Sequence, residues 1–179
     1  MNELKKAIIG GLTALSSLCL FIGTAQAYSL EGPKWQYPMD ITWADGNVDQ
    51  QAISATDSWN NTPVASMFYA SNSNSADIQT SYGDFGNTGW TGNTTYYYNT
   101  STMYFIPGEV TVSVNSDYTY GTGSYSYTKE QGVWAHEFGH AIGLAHNNYD
   151  QSVLMWPYDD RYNYTPQTDD INGGEAIYG

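Results

Sequence analysis

A chain of 179 residues with 18 Asp plus Glu against 5 Lys plus Arg carries a formal net charge of −13 and an isoelectric point near 4.1. That charge repels phosphate backbones and anionic lipid headgroups, which excludes nucleic acid as a partner and argues against a stable membrane association. Seventeen Tyr and six Trp supply far more buriable aromatic surface than disordered acidic segments carry, so the chain is expected to fold as one domain.

In chain order, Lys5 and Lys6, an apolar run from Ala7 to Thr24, and the small residues Ala25 and Ala27 around Gln26 read as a secretory signal over residues 1–27, cleaved before Tyr28. The single cysteine, Cys19, lies inside that run. Residues 28–179 would then form a cysteine-free domain in an oxidising, extracellular compartment. Met39, Ile41 and Trp43 alternate with polar neighbours as a half-buried strand does, and Asp45, Gly46 and Asn47 predict a turn and a helix cap. Val48, Ala52, Ala55 and Trp59 then line one face of a helix that stops near Asn60, Asn61 and Pro63. Strands are predicted over 66–70 and 76–81, and a long ordered loop over 83–93. Further strands are predicted over 94–98 and over 110–114, where Val110, Val112 and Val114 share a face. The Tyr, Gly, Thr and Ser alternation of 118–127 predicts a surface loop or hairpin.

All three histidines lie in Val133-Trp134-Ala135-His136-Glu137-Phe138-Gly139-His140-Ala141-Ile142-Gly143-Leu144-Ala145-His146. Three histidines placed at random would match these two spacings in roughly one arrangement in 5,600, so the cluster is no accident of composition. On a helix His136 and His140 stand one turn apart and present two imidazoles to one metal ion. Gly143 can adopt the left-handed conformation that ends the helix and returns His146 as a third nitrogen ligand. Three neutral ligands with a fourth position open, and Glu137 at the rim as general base, are what hydrolysis of a peptide bond by a zinc-activated water requires.

The pattern HExxHxxGxxH, followed by Met155 in Leu154-Met155-Trp156-Pro157-Tyr158, resembles the metzincin metalloproteases and, within them, the catalytic domain of the matrixins, the matrix metalloproteinase family. Asp169-Asp170-Ile171-Asn172-Gly173 through Ala176-Ile177-Tyr178-Gly179 resembles their closing helix, and Tyr28, Leu30, Gly32, Lys34 and Trp35 resemble their start. The resemblance implies an α+β fold: a twisted five-stranded mixed sheet, two long helices, a cleft across the sheet and a short C-terminal helix. It implies one catalytic zinc held by His136, His140 and His146. Met155 would form an apolar floor, and Trp156, Pro157 and Tyr158 would shape the pocket for the residue after the scissile bond. The substrate would add as a strand along 94–98. It also admits calcium, with Asp84 and Asn87 as oxygen donors. A second, structural zinc has no histidines left to hold it. Asn147 stands where matrixins favour Ser or Thr. A new N-terminal ammonium at Tyr28 would pair with Asp169. The expected protein is thus a secreted monomeric zinc endopeptidase acting on proteins or peptides. The alternative is a catalytically silent, zinc-stabilised secreted module that binds protein or glycan; the intact Glu137 argues for catalysis.

Overall fold

The computed structural model describes residues 28–37, 41–44, 46, 48–64, 68–71, 74–121 and 124–179. The proposed signal segment, Met39, Asp45, Asn47 and the first two residues of the predicted 66–70 strand lie outside these. β1 (Ser29–Leu30) opens the described chain. Along β2 (Ile41–Ala44), Ile41 and Trp43 are buried and their polar or small neighbours half-buried, the period of two that the sequence carries. Helix α1 (Gln50–Asn60) has its cap two residues beyond the Asp45 to Asn47 turn that predicts it, so Val48, expected on its buried face, precedes the helix. Asp49 is the residue placed to cap it, and its Oδ1 accepts from the Ala52 N–H at 3.2 Å. Ala52, Ala55 and Trp59 form its buried face, as the spacing predicts.

β3 (Phe68–Ser71) and β4 (Ile78–Gly83) run parallel to β2, and β6 (Tyr104–Asn115) runs parallel to β4. β5 (Gly92–Asn99) closes the sheet as an antiparallel edge beside β6, giving the order β3-β2-β4-β6-β5. Val110, Val112 and Val114 are all fully buried on one face. The sheet is therefore mixed and five-stranded, and β6 is longer than its valine run predicts.

The predicted loop over 118–127 is different in the structure. Asp117–Gly121 forms one π-helical turn, and helix α2 (Tyr127–Ala141) starts inside the predicted loop, capped by Ser126 Oγ accepting from Lys129 N–H. Thr119, which reads as a surface residue, is buried and donates its hydroxyl to Glu130 at 2.9 Å. That tether lies 11 residues along the chain, beyond the reach of a local pattern. α2 packs on α1 and the sheet through Phe138, whose ring meets those of Trp43 at 5.5 Å and Phe68 at 5.1 Å. Trp59 Nε1 donates to the Ala135 carbonyl at 2.9 Å and pins the two helices together. After α2 come β7 (Leu144–Ala145), antiparallel to β1, and α3 (Thr168–Tyr178). Among the described residues no helix is long and apolar enough to cross a membrane.

Asp49 carries a cost as well as a cap. Its Oδ2 is buried with no hydrogen-bond partner among the described residues. Burial, together with the nearby Glu130 carboxylate, raises its pKa from 3.8 to about 6. Between those two values the native state holds a proton that the unfolded chain has released, so stability falls as pH rises from about 4 to about 6. Asp49→Asn keeps an oxygen to cap α1. It is expected to flatten that slope in denaturation curves and to raise stability at pH 7 by about 1 kcal/mol, since the residue as a whole is only partly buried.

Candidate metal centre

The site is built on the end of α2. His136 and His140 lie one turn apart with ring centroids at 4.8 Å. The helix stops at Ala141 because Gly143 takes φ +98°, with its N–H donating to the His140 carbonyl at 2.9 Å. A Cβ on Gly143 would also stand 2.6 Å from the Pro33 carbonyl oxygen, so both backbone angle and close approach demand glycine. β7 then pairs with β1 and brings His146 back over the helix end.

His146 Nε2 lies 3.1 Å from His140 Nε2 and 3.2 Å from His136 Nε2. His136 Nδ1 donates to the Leu154 carbonyl at 2.9 Å, and His140 Nδ1 donates to the Leu144 carbonyl at 2.8 Å. A carbonyl only accepts, so each Nδ1 carries the proton and each Nε2 presents a lone pair. Converging lone pairs repel unless a cation lies between them. Nitrogens bound to zinc at about 2.0–2.1 Å in a tetrahedron stand about 3.3 Å apart, close to the spacing found here. The donor set and its spacing fit zinc. The three histidines are also the one grouping of metal-ligating side chains found among the described residues.

Burial holds His136 well below the usual imidazole pKa and lowers His146 to about 4, so both are neutral at pH 7. For His140 burial acts in the same direction, but Glu31, with Oε1 3.5 Å from Nδ1, together with Glu137 and the Leu144 carbonyl, outweighs it and raises the pKa. Glu31 is held in turn by Tyr96, whose hydroxyl donates to Oε2 at 3.0 Å.

Glu137 is buried at 6% exposure, and burial pushes its pKa up. Thr94 Oγ1 lies 2.7 Å from its Oε2 and steadies it from strand β5. A Cβ on Gly92 would fall 2.5 Å from Glu137 Oε1, so β5 can lie this close only with glycine there. Two cavities meet at Gly92, Glu137 and His146. One, of about 300 Å³, is lined by Val133, His136, Pro157, Tyr158 and Arg161 among others. The other, of about 510 Å³, runs along β5 past Glu31, Thr94, Tyr96 and His140. Trp156 is not in the lining of the first cavity. Its Nε1 donates to Asp160 Oδ1 at 2.8 Å, and its ring meets that of Tyr158 edge-on at 5.7 Å, so it supports the residue that does line it.

Met155 is buried with its Sδ against Gly139, where a Cβ would overlap the sulfur. Its segment is held by Asp170, which is 1% exposed: the Leu154 and Met155 N–H groups donate to Oδ2 and Oδ1 at 2.9 and 3.0 Å, and the Gln167 N–H donates to Oδ2 at 2.7 Å. Asp169 instead accepts from Asn147 Nδ2 at 2.9 Å. Asn147 is itself buried, and it ties the residue after His146 to the closing helix. Asp84 accepts from the Gly86 N–H within its own loop at 2.8 Å, and Asn87 accepts from the hydroxyl of Tyr118, in the π-helical turn, at 2.6 Å. Buried Asn115 anchors that loop through Phe85 N–H and the Gly86 carbonyl. Gly92, Thr94, Glu31 and Asp170 escape sequence reasoning because each reaches the site from a segment distant in the chain.

The matrixin (Peptidase M10) family model matches residues 34–179. Human matrix metalloproteinase-20 is 35% identical over 146 residues, covering 74% of this chain and 28% of that protein. Human neutrophil collagenase is 50% identical over 50 residues, covering 26% of this chain and 10% of that protein. The hatching enzyme of Paracentrotus lividus is 38% identical over 77 residues, covering 42% and 13%. The chain thus spans less than a third of the length of these curated relatives. A chain of the GM1-bound ECX AB5 holotoxin superposes with a TM-score of 0.54 at 14% identity, covering 86% of this chain and 89% of that one, which is a likeness of fold.

Proposed function

The chain belongs to the matrixin family, and from that premise we propose that it is a secreted zinc endopeptidase that hydrolyses peptide bonds of extracellular proteins. The observation that carries the reading is the convergence of three Nε2 atoms, His146 Nε2 standing 3.1–3.2 Å from the other two, beside a buried carboxylate that is not one of the three. Zinc held there supplies Lewis acidity, lowering the pKa of water in contact with it to about 7 and polarising a carbonyl oxygen.

The chain's own residues do the rest. β5 pairs with β6 on one side and, among the described residues, with no strand on the other, where an extended substrate backbone can add as a further strand. A scissile bond lying at the seam of the two cavities stands over Glu137 and His146. The residue after it enters the cavity walled by Pro157 and Tyr158. Glu137 accepts a proton from the attacking water at its carboxylate and delivers it to the departing amine, while Thr94 holds the carboxylate in place. Its raised pKa brings it nearer to the range where a group both takes and gives a proton.

Purified protein is expected to digest casein, to lose that activity fully with a zinc chelator, and to regain it when zinc is restored. Stoichiometric zinc without cleavage would favour the silent binding module. Residues 1–27 support export by their charge and hydropathy pattern, and the exported form is expected by mass spectrometry to begin at Tyr28. A retained segment would make it an anchor instead.

A further inference from the structure

Arg161 is the single arginine of the chain, and it is buried at 4% exposure in the lining of the cavity beside His136 and Glu137. Burying a guanidinium is costly unless its donors are met and its charge is paired. Here both needs are half-filled. Nη1 donates to the Gly132 carbonyl at 2.9 Å and Nη2 to the Trp156 carbonyl at a long 3.4 Å. Nε has no partner among the described residues. Among the described residues the one carboxylate within ion-pair distance is Asp159, 3.5 Å from Nη2, with the Glu137 charge farther off. The other Asp159 oxygen already accepts from the hydroxyls of Thr91 and Tyr125. An aliphatic side chain entering this cavity would bury a cation whose charge is only partly balanced. A side chain ending in oxygen would balance that charge from the cavity side.

Building on the endopeptidase reading above, we propose that Arg161 sets the specificity of this cavity, selecting substrates whose residue after the scissile bond is glutamate, or next glutamine, over leucine. Asp159 limits the preference by competing for the same guanidinium. A site built to hydrogen-bond a polar group discriminates against an apolar isostere because the unmatched donors stay buried and unpaired.

The test is a peptide series differing at that one position, with Leu, Gln, Glu or Lys, assayed on zinc-loaded protein. Glu and Gln are expected to exceed Leu in kcat/KM by about tenfold, with Lys lowest. Arg161→Met is expected to invert the order of Glu and Leu. Because that change also frees the Gly132 and Trp156 carbonyls, Asp159→Asn serves as the second variant: it leaves the guanidinium in place and is expected to raise the Glu-to-Leu ratio by about threefold. The same series is measured as displacement of a fluorescent peptide from zinc-loaded Glu137→Ala protein. Absence of cleavage in every peptide would defeat the endopeptidase reading alone, since the order of displacement still decides the role of Arg161. Leucine ahead of both glutamate and glutamine in displacement, or a Glu-to-Leu ratio unmoved in both variants, overturns the proposal.

Discussion

Glu137→Ala is expected to lower kcat by about a thousandfold while the protein keeps its zinc. The two halves of that result have separate physical sources. Metal retention depends on three imidazoles fixed by the Leu154 and Leu144 carbonyls and by the β7 return, none of which touches the Glu137 side chain. In the proposed mechanism turnover depends on a carboxylate placed to move a proton between water and amine, and alanine has no group to do so. Truncation also strips Thr94 of its 2.7 Å carboxylate partner, although its hydroxyl keeps the Glu137 carbonyl at 3.0 Å, so β5 should stay in place. Single-turnover kinetics with metal analysis by atomic absorption separates the two. A variant with wild-type kcat would remove Glu137 from the mechanism, and a variant that lost its zinc would make the carboxylate a support of the centre.

Asp170→Ala is expected to cost about 3–5 kcal/mol of stability and to weaken zinc binding by about 10- to 100-fold, although Asp170 touches no ligand nitrogen. Its carboxylate receives the N–H groups of Leu154, Met155 and Gln167 in a site that water does not reach. Removing it leaves buried donors unpaired, each at about 1–3 kcal/mol, in a domain whose whole stability is about 5–15 kcal/mol. The Leu154 peptide that loses its anchor is also the one whose carbonyl orients His136, which is how the loss reaches the metal. Chemical denaturation and zinc titration against a competing chelator measure the two effects. Asp169→Ala is the control, with one bond to Asn147 and an expected cost near 1 kcal/mol. Equal losses in both variants would overturn the assignment of Asp170 as the anchor.

These two neighbours differ in a way that no local pattern of the chain carries. The closing helix is legible from Asp169 onward by its family resemblance, and that resemblance implies an ion pair for Asp169 and no role for Asp170. Nothing local distinguishes two adjacent aspartates. Their helical phase decides which one faces the Met155 segment, and that phase is set by packing of α3.

Determined by the sequence itself were the strand alternation at Ile41 and Trp43, the buried face of α1, the valine face of β6, and the histidine spacing with its glycine stop. All of these arise from backbone periodicities of two or 3.6 residues, or from the φ freedom of one residue, and act over a few positions. The tertiary structure alone decided that Thr94 and Gly92 flank Glu137 from 45 or so residues away, and that Trp156 supports the pocket wall while Pro157 and Tyr158 line it. It also decided that Thr119 is buried and that the one arginine lies inside the cleft. Such contacts form when distant segments meet in a close-packed interior, where a hydrogen bond or a missing Cβ is worth kilocalories but leaves no pattern along the chain.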